Sequence, residues 1–311
     1  KINELLSKHT TFKIGGPAAF FITITTEQQL LDALSYLDSN DHRYFMLGGG
    51  SNMLVSDQGF DGVVIKYQDD SYTVTDSTIT VGAGATTVSV ANNTIKDGLT
   101  GFEWGVGIPG TIGGAVRGNA GATGGEIKDT CVAVTIYRSG EVLTLNNDEC
   151  EFTYRNSIFK KNGDVILSAS FALQKTLDKE GRKKALEVIQ YRVKTQPKGF
   201  ASTGCIFTNV NIDQKNNSAV REVFQKHADL NDQKVQSFLK NDRVPAGWLV
   251  EACGLKGREI GGAKVSETHG NFIINTGTAK AQDVINLIDE IKEEVYTLYK
   301  IKLHEEIQLI S

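Results

Sequence analysis

Short apolar runs alternate with one amphipathic segment along the first third of the chain. Residues 20–24 read as a strand. Residues 27–37 place Leu30, Leu31, Leu34 and Leu37 at helical spacing, which predicts a helix. Strands are expected again at 44–47 and 62–66. From about residue 72 the texture turns β-rich, with strands expected at 72–75, 78–81, 132–137, 142–145 and 165–173. Ser139-Gly140 reads as a hairpin turn between two of them. One helix, near 87–96, interrupts this run. Residues 178–194 read as a charged helix and 196–210 as turn-rich chain. In 219–238, Val220, Val223, Phe224, Val235 and Phe238 flank a polar break at 229–232, which predicts a pair of short helices. Pro245 suits the first turn of a helix running to about Cys253. A strand is expected at 272–275. The clearest helix is 281–299, where Val284, Leu287, Ile288, Ile291, Val295 and Leu298 fall on one face. A strand at 303–310 closes the chain. No internal repeat or low-complexity tract is visible. The fold class is α+β with at least two lobes.

Two stretches do not fit this periodicity. Residues 47–52 read Leu-Gly-Gly-Gly-Ser-Asn, and 107–121 read Gly-Ile-Pro-Gly-Thr-Ile-Gly-Gly-Ala-Val-Arg-Gly-Asn-Ala-Gly. Glycine has no Cβ to hold a phosphate away and tolerates positive φ, so successive N–H groups can turn inward. The second loop is expected to open a short helix near 112–116, aiming further N–H groups at an anion. Neither loop is a G-x-x-x-x-G-K-[ST] or a G-x-G-x-x-G fingerprint. The plainer alternative is tight turns in a β-rich fold. Two such runs, each with small hydroxyl or amide residues (Ser51, Asn52, Thr111, Asn119), favour a diphosphate-bearing nucleotide cofactor.

Composition narrows the field. At 311 residues the chain is long enough for two or three domains with a large core, and four prolines argue against disordered linkers. A net charge of −4 gives no nucleic-acid footprint. No apolar run reaches membrane-spanning length and no signal-peptide pattern opens the chain. The first residue is Lys1, which leaves a removed leader open. Cys131, Cys150, Cys205 and Cys253 are scattered, with no C-x-x-C pair, so free thiols in a reducing cytosol are expected and no metal site is.

Several blocks, in order, carry a resemblance. They are residues 9–17 (His-Thr-Thr-Phe-Lys-Ile-Gly-Gly-Pro), 47–54, 107–121, Tyr154-Arg155-Asn156-Ser157, and 204–209 (Gly-Cys-Ile-Phe-Thr-Asn). They continue through 260–266 (Ile-Gly-Gly-Ala-Lys-Val-Ser), 271–275 and 303–307. Nearly end to end, the chain resembles the UDP-N-acetylenolpyruvoylglucosamine reductases, flavoenzymes of peptidoglycan precursor synthesis. The resemblance implies a two-lobed FAD-binding region of the vanillyl-alcohol-oxidase type and a smaller α+β substrate-binding domain. It places the first lobe at 1–72, with strand 303–311 returning to it, the second lobe at 73–195, and the substrate domain at 196–302. It also implies non-covalent FAD, NADPH as co-substrate and UDP-N-acetylglucosamine enolpyruvate as substrate. A cytoplasmic location and a monomer are expected, with no sequence feature that fixes the oligomeric state. The cofactor would meet Leu47, Gly48, Gly49, Gly50, Ser51, Asn52 and Met53 in the first loop. In the second it would meet Ile108, Pro109, Gly110, Thr111, Gly114, Ala115, Asn119 and Gly121.

The implied reaction reduces the vinyl group of an enolpyruvyl ether. That group is electron-rich, and its conjugated carboxylate is the handle. A catalyst needs donors aimed at the carboxylate and a general acid for the adjacent carbon. Arg155 matches the family's catalytic arginine, and a guanidinium can hold a carboxylate bidentately. Glu306 matches the catalytic glutamate, a role that calls for burial to raise its pKa. Glu305 competes with it, and strand alternation would let only one of the two face the site. Cys205 stands where the family usually has Ser as proton donor. A thiol, with an ordinary pKa of about 8.5, is a competent acid, though free cysteine is more often simply buried. Arg192, Lys198, Asn209 and Glu251 are candidate substrate contacts, each with a solvated-surface alternative. Val210 replaces the usual proline after Asn209, and 210–243 is longer than in many members. No tyrosine-bearing insertion is visible, which suggests the subgroup lacking a substrate-covering loop. His9 and His269 receive no catalytic role. Two rivals are a flavin oxidase acting on an alcohol or sugar, and a flavin-binding protein whose Cys205 marks lost catalysis.

Overall fold

The computed structural model describes residues 1–176, 178–213, 215 and 217–311, with 178 and 179 described for their backbone alone. Contacts divide the chain into two compact units. The first comprises Lys1–Leu5, Pro17–Ser51 and Phe60–Lys194, and the second Leu6–Gly16, Asn52–Gly59 and Thr195–Ser311. The late division falls between Lys194 and Thr195. Two early segments that the sequence reading left in the first lobe group with the C-terminal residues.

The first unit holds two sheets. In one, the order is Ile2–Leu5, Pro17–Ile24, Phe60–Tyr67, Tyr44–Leu47, the first pair antiparallel and the rest parallel. Parallel strands need a crossover. The helix Glu27–Ser39 supplies it, burying Leu30, Leu34 and Leu37 while the Thr26 side chain caps its first turn. The other sheet is antiparallel, in the order Glu141–Asn146, Cys131–Arg138, Val165–Ala172, Thr78–Gly82, Tyr72–Thr75. Ser139 and Gly140 both take positive φ, the twist that a two-residue hairpin requires. One core joins helix Glu27–Ser39, helix Thr87–Lys96 and both sheets through side chains such as Leu34, Ile65, Val90, Phe102 and Phe171.

The second unit is built on an antiparallel sheet, Ala201–Cys205, Phe272–Asn275, Ala263–Val265, Glu259–Ile260. Helix Ala281–Tyr299 keeps its expected bounds and buries Val284, Leu287, Ile288, Ile291 and Val295. Tyr299 completes the stripe, and Leu298, expected there, is exposed. The Asp57 carboxylate accepts from Ala281 N and Gln282 N at 2.9 and 3.3 Å, satisfying first-turn donors and tying Asn52–Gly59 into this unit. The expected helical pair is present as Ser218–His227 and Gln233–Lys240.

Two expectations are corrected here. Residues 196–210 are not merely turns, because Ala201–Cys205 is a strand paired to Phe272–Asn275. Its Ala-Ser-Thr-Gly-Cys sequence has no apolar alternation, and its conformation is imposed by the neighbouring strand. The closing strand is shorter than 303–310. Only Gln308–Ile310 pairs as a strand, parallel to Met53–Val55, while Glu305 forms an isolated bridge with Phe207.

Candidate active site

The two glycine-rich loops touch within the first unit. A Cβ on Gly48 would lie 2.5 Å from Thr111 Oγ1, and one on Gly49 2.7 Å from Gly110 Cα. Gly110 takes φ +126°, and Ser51 Oγ donates to Pro109 O at 2.9 Å. The glycines therefore serve first to let two backbones approach, as the plainer reading supposed. The consequence is chemical. Among the described residues, the N–H groups of Gly49, Ser51, Gly110 and Thr111 have no acceptor within the chain. Bare N–H groups on touching loops form an anion-binding concavity, so the residues present fit a diphosphate such as that of FAD. Thr111 caps the short helix Ile112–Arg117, accepting from Gly114 N at 3.4 Å.

Other expected cofactor contacts are engaged inside the protein. Asn119 is fully buried, with Nδ2 donating to Thr153 O at 2.9 Å and Oδ1 accepting from Lys128 N at 3.0 Å. Asn52 and Met53 belong to the second unit. There Asn52 Nδ2 donates to Glu306 O at 3.2 Å, and Met53 N donates to Thr203 Oγ1 at 2.9 Å.

Arg155 sits at the tip of a tight turn in the first unit, where Thr153 and Asn156 exchange backbone hydrogen bonds at 3.0 and 3.1 Å. Its φ is +54°, a left-handed value uncommon outside glycine. The guanidinium donates to Gly121 O at 2.8 Å and lies 5.2 Å from the centre of the Tyr154 ring. Ser157, buried, anchors the motif by donating to Arg117 O at 2.7 Å.

Cys205 and Glu306 lie on neighbouring segments of the second unit. Cys205 ends its strand opposite Phe272. The next residues are fixed by Asn271, whose Oδ1 accepts from Phe207 N at 2.9 Å and whose Nδ2 donates to Phe207 O at 2.8 Å. The C-terminal segment then pairs back, with Thr208 N donating to His304 O at 3.0 Å and Glu306 N to Ile206 O at 2.8 Å. The Glu306 backbone is thereby placed beside the residue that follows Cys205. Glu305 is taken elsewhere, its Oε1 2.8 Å from Lys292 Nζ. Burial pushes the Glu305 pKa up, but the Lys292 hydrogen bond and charge outweigh it and hold the carboxyl below the usual range.

The other cysteines behave as packing residues. Burial, with Cys150 beside Cys131 and Glu149 beside Cys150, pushes both thiols up to about 12, and burial with Glu294 pushes Cys253 up to about 11. The substrate candidates separate. The stem of Arg192 lies on Gly107, where a Cβ would come within 2.2 Å of its Cδ. Lys198 is exposed. Asn209 Oδ1 accepts from Ala246 N at 3.2 Å, capping helix Ala246–Ala252, and Glu251 near that helix's other end pairs with Lys256 at 3.0 Å. His269 is structural: its Nδ1 accepts from Asn271 N at 3.1 Å, and burial lowers its pKa. Sequence reading missed Lys160, Thr203 and Lys292, because isolated polar residues carry no periodic signal.

Residues 196–310 match the family defined as the C-terminal domain of UDP-N-acetylenolpyruvoylglucosamine reductase, and residues 18–146 match an FAD binding domain. The chain is 37% identical to the UDP-N-acetylenolpyruvoylglucosamine reductase of Lachnoclostridium phytofermentans, over 99% of its own length and 92% of the relative's. It is also 37% identical to that of Bacillus subtilis, over 99% and 93%. The crystal structure of the corresponding reductase from Thermus caldophilus aligns with a TM-score of 0.79 at 30% identity, covering 99% of this chain and 98% of that one.

Proposed function

Because the chain belongs to the UDP-N-acetylenolpyruvoylglucosamine reductase family, we propose that it reduces UDP-N-acetylglucosamine enolpyruvate to UDP-N-acetylmuramate with NADPH as reductant and Cys205 as proton donor. It is an FAD-dependent oxidoreductase of peptidoglycan precursor synthesis. Bound FAD would supply hydride to the terminal vinyl carbon, after reduction by NADPH. Negative charge then grows on the adjacent carbon and its carboxylate. Arg155, held at a turn tip with a permanently charged fork, stabilises that carboxylate. Cys205 gives its proton to the carbon, help typically worth roughly 10²–10⁴ in rate. Glu306 in its protonated form donates a further hydrogen bond to the developing charge. Gly49, Ser51, Gly110 and Thr111 would hold the FAD diphosphate through their N–H groups. Arg192, Lys198, Asn209 and Glu251 are proposed substrate contacts. The reading carries a cytoplasmic monomer. Among the described residues no helix is long and apolar enough to cross a membrane.

The observation that most supports this reading is the pairing of Glu306 N with Ile206 O while Lys292 draws Glu305 away. Both glutamates border the Cys205 segment, and with the Glu305 carboxyl held by Lys292 the reading favours Glu306 as the reacting one. The test is anaerobic. NADPH should bleach the flavin of the purified protein, and UDP-N-acetylglucosamine enolpyruvate should restore its colour with formation of the lactyl ether. Recovery only on admitting air would favour an oxidase or a protein that has lost the reaction.

A further inference from the structure

Arg155 is a non-glycine residue in left-handed backbone, and such a conformation persists only where its surroundings over-determine it. Part of that determination is visible. Lys160 Nζ donates to the Arg155 carbonyl at 2.7 Å, from a position five residues along the chain. Lys160 is no loose surface lysine. It ends the one-turn helix Ile158–Lys160, whose Phe159 is buried and packs edge-on against Phe152 at 6.5 Å between ring centres. The residue before that turn, Ser157, is buried and tied to Arg117 O. The ammonium therefore projects from a fixed base onto the Arg155 carbonyl. A charge-assisted bond to that oxygen fixes the peptide plane after Arg155, and with it the direction of the Arg155 side chain. The opposite side of the turn is tied down separately, by Asn119 Nδ2 to Thr153 O and by the guanidinium to Gly121 O.

We propose that Lys160 is a positioning residue for Arg155: its ammonium holds the Arg155 backbone in the left-handed conformation that presents the guanidinium to the substrate carboxylate. This rests on the catalytic role given to Arg155 above. Lys160 itself touches no substrate in this scheme, and its contribution to the reaction acts through Arg155. A misplacement of about an ångström at a reacting group can cost on the order of 10²-fold in rate. That sets the scale of the effect.

The experiment compares Lys160→Met, Lys160→Arg, Arg155→Ala and the Lys160→Met/Arg155→Ala pair in the FAD-loaded full chain. Stopped-flow absorbance reads the two half-reactions separately, and hydrogen–deuterium exchange reads the Asn156 amide that closes the turn. Lys160→Met should slow flavin reoxidation by the enolpyruvyl substrate on the order of 10²-fold, with reduction by NADPH unchanged. It should also deprotect the Asn156 amide, and Lys160→Arg should recover most of both. On the Arg155→Ala background Lys160→Met should add no further loss, as expected of two residues acting as one unit. Equal slowing of both half-reactions, or additive losses in the pair, would overturn the proposal in favour of general destabilisation. Unchanged Asn156 exchange in Lys160→Met would also overturn it, whatever the activity. A wild-type protein whose flavin the enolpyruvyl substrate cannot reoxidise would instead sink the proposed function, leaving the exchange result to judge the Lys160–Arg155 contact alone.

Discussion

The two units hold their chemical groups by different means. In the first, Arg155 and the glycine loops depend on backbone that only special residues tolerate: Arg155 at φ +54°, Gly50 at +63°, Gly110 at +126°, and loops whose Cα atoms nearly touch. In the second, Gly204 at φ +81° precedes Cys205, but Cys205 and Glu306 lie on segments stitched together by hydrogen bonds, through Asn271, Thr203 and the pairing of 304–306 with 206–208. The glycine loops are intolerant of added atoms. The Cys205 and Glu306 segments, like the Arg155 turn, are intolerant of lost donors and acceptors. Substitutions in the glycine loops and in the Cys205 segment should therefore fail for opposite reasons.

The largest expected effects fall on the proposed reacting groups. Arg155→Lys keeps the charge but loses the fork, and should lower kcat/KM for the enolpyruvyl substrate by roughly 10²–10³, as removal of one stabilising donor does elsewhere. Steady-state kinetics with NADPH consumption would show it. An unaltered kcat/KM would remove Arg155 from the reaction.

Next come the loops. Gly49→Ala places a methyl group against Gly110 Cα, and backbone cannot give way as a flexible side chain can. The expected cost is about 1–3 kcal/mol of stability together with weakened FAD retention. Thermal denaturation and FAD titration would measure both. In the second unit the matching test is Asn271→Ala, which leaves Phe207 N and O without their partners. It should cost about 1–3 kcal/mol through unmade hydrogen bonds alone. A stability loss at Gly49 with FAD binding intact would show that the loops pack but do not bind.

How much of this was legible in the sequence follows from the same contrast. The helices at 87–96 and 281–299 were readable because burial imposes a period on their apolar residues, and the strand at 272–275 because Phe272–Ile274 is an unbroken, fully buried apolar run. Strand Ala201–Cys205 was not, since its small polar residues take their conformation from a neighbour across the sheet. The glycine loops announced themselves by composition. Yet composition could not say that Gly48 and Gly49 are required by loop–loop contact, or that Asn119 spends its amide on Thr153 and Lys128. Resemblance alone favours Glu306 over Glu305 in the sequence; that Lys292, from a helix ending six residues earlier than Glu305, pairs with Glu305 carries no sequence signal.

The smallest effect concerns pH. Burial, then the nearby Lys256, lowers the His269 pKa in the folded protein. A lowered folded pKa means that the unfolded chain binds the proton first. Stability is then fully present above the unfolded value of about 6.5 and is lost as pH falls below it. His269→Asn should flatten denaturation midpoints between about pH 6.5 and 5, relative to the parent protein. An equally steep profile in the variant would assign the loss to other groups.

Cys205 is the proposed donor of the proton to the carbon next to the carboxylate. The decisive experiment is the single-turnover reoxidation of NADPH-reduced enzyme by UDP-N-acetylglucosamine enolpyruvate, in the parent and in the Cys205→Ser and Cys205→Ala variants. An unchanged reductive half-reaction is expected in all three, with partial reoxidation activity for Ser and a loss of roughly 10²–10⁴ for Ala. Reoxidation at the parent rate in Cys205→Ala would contradict that role and leave Cys205 a packing residue like the other three.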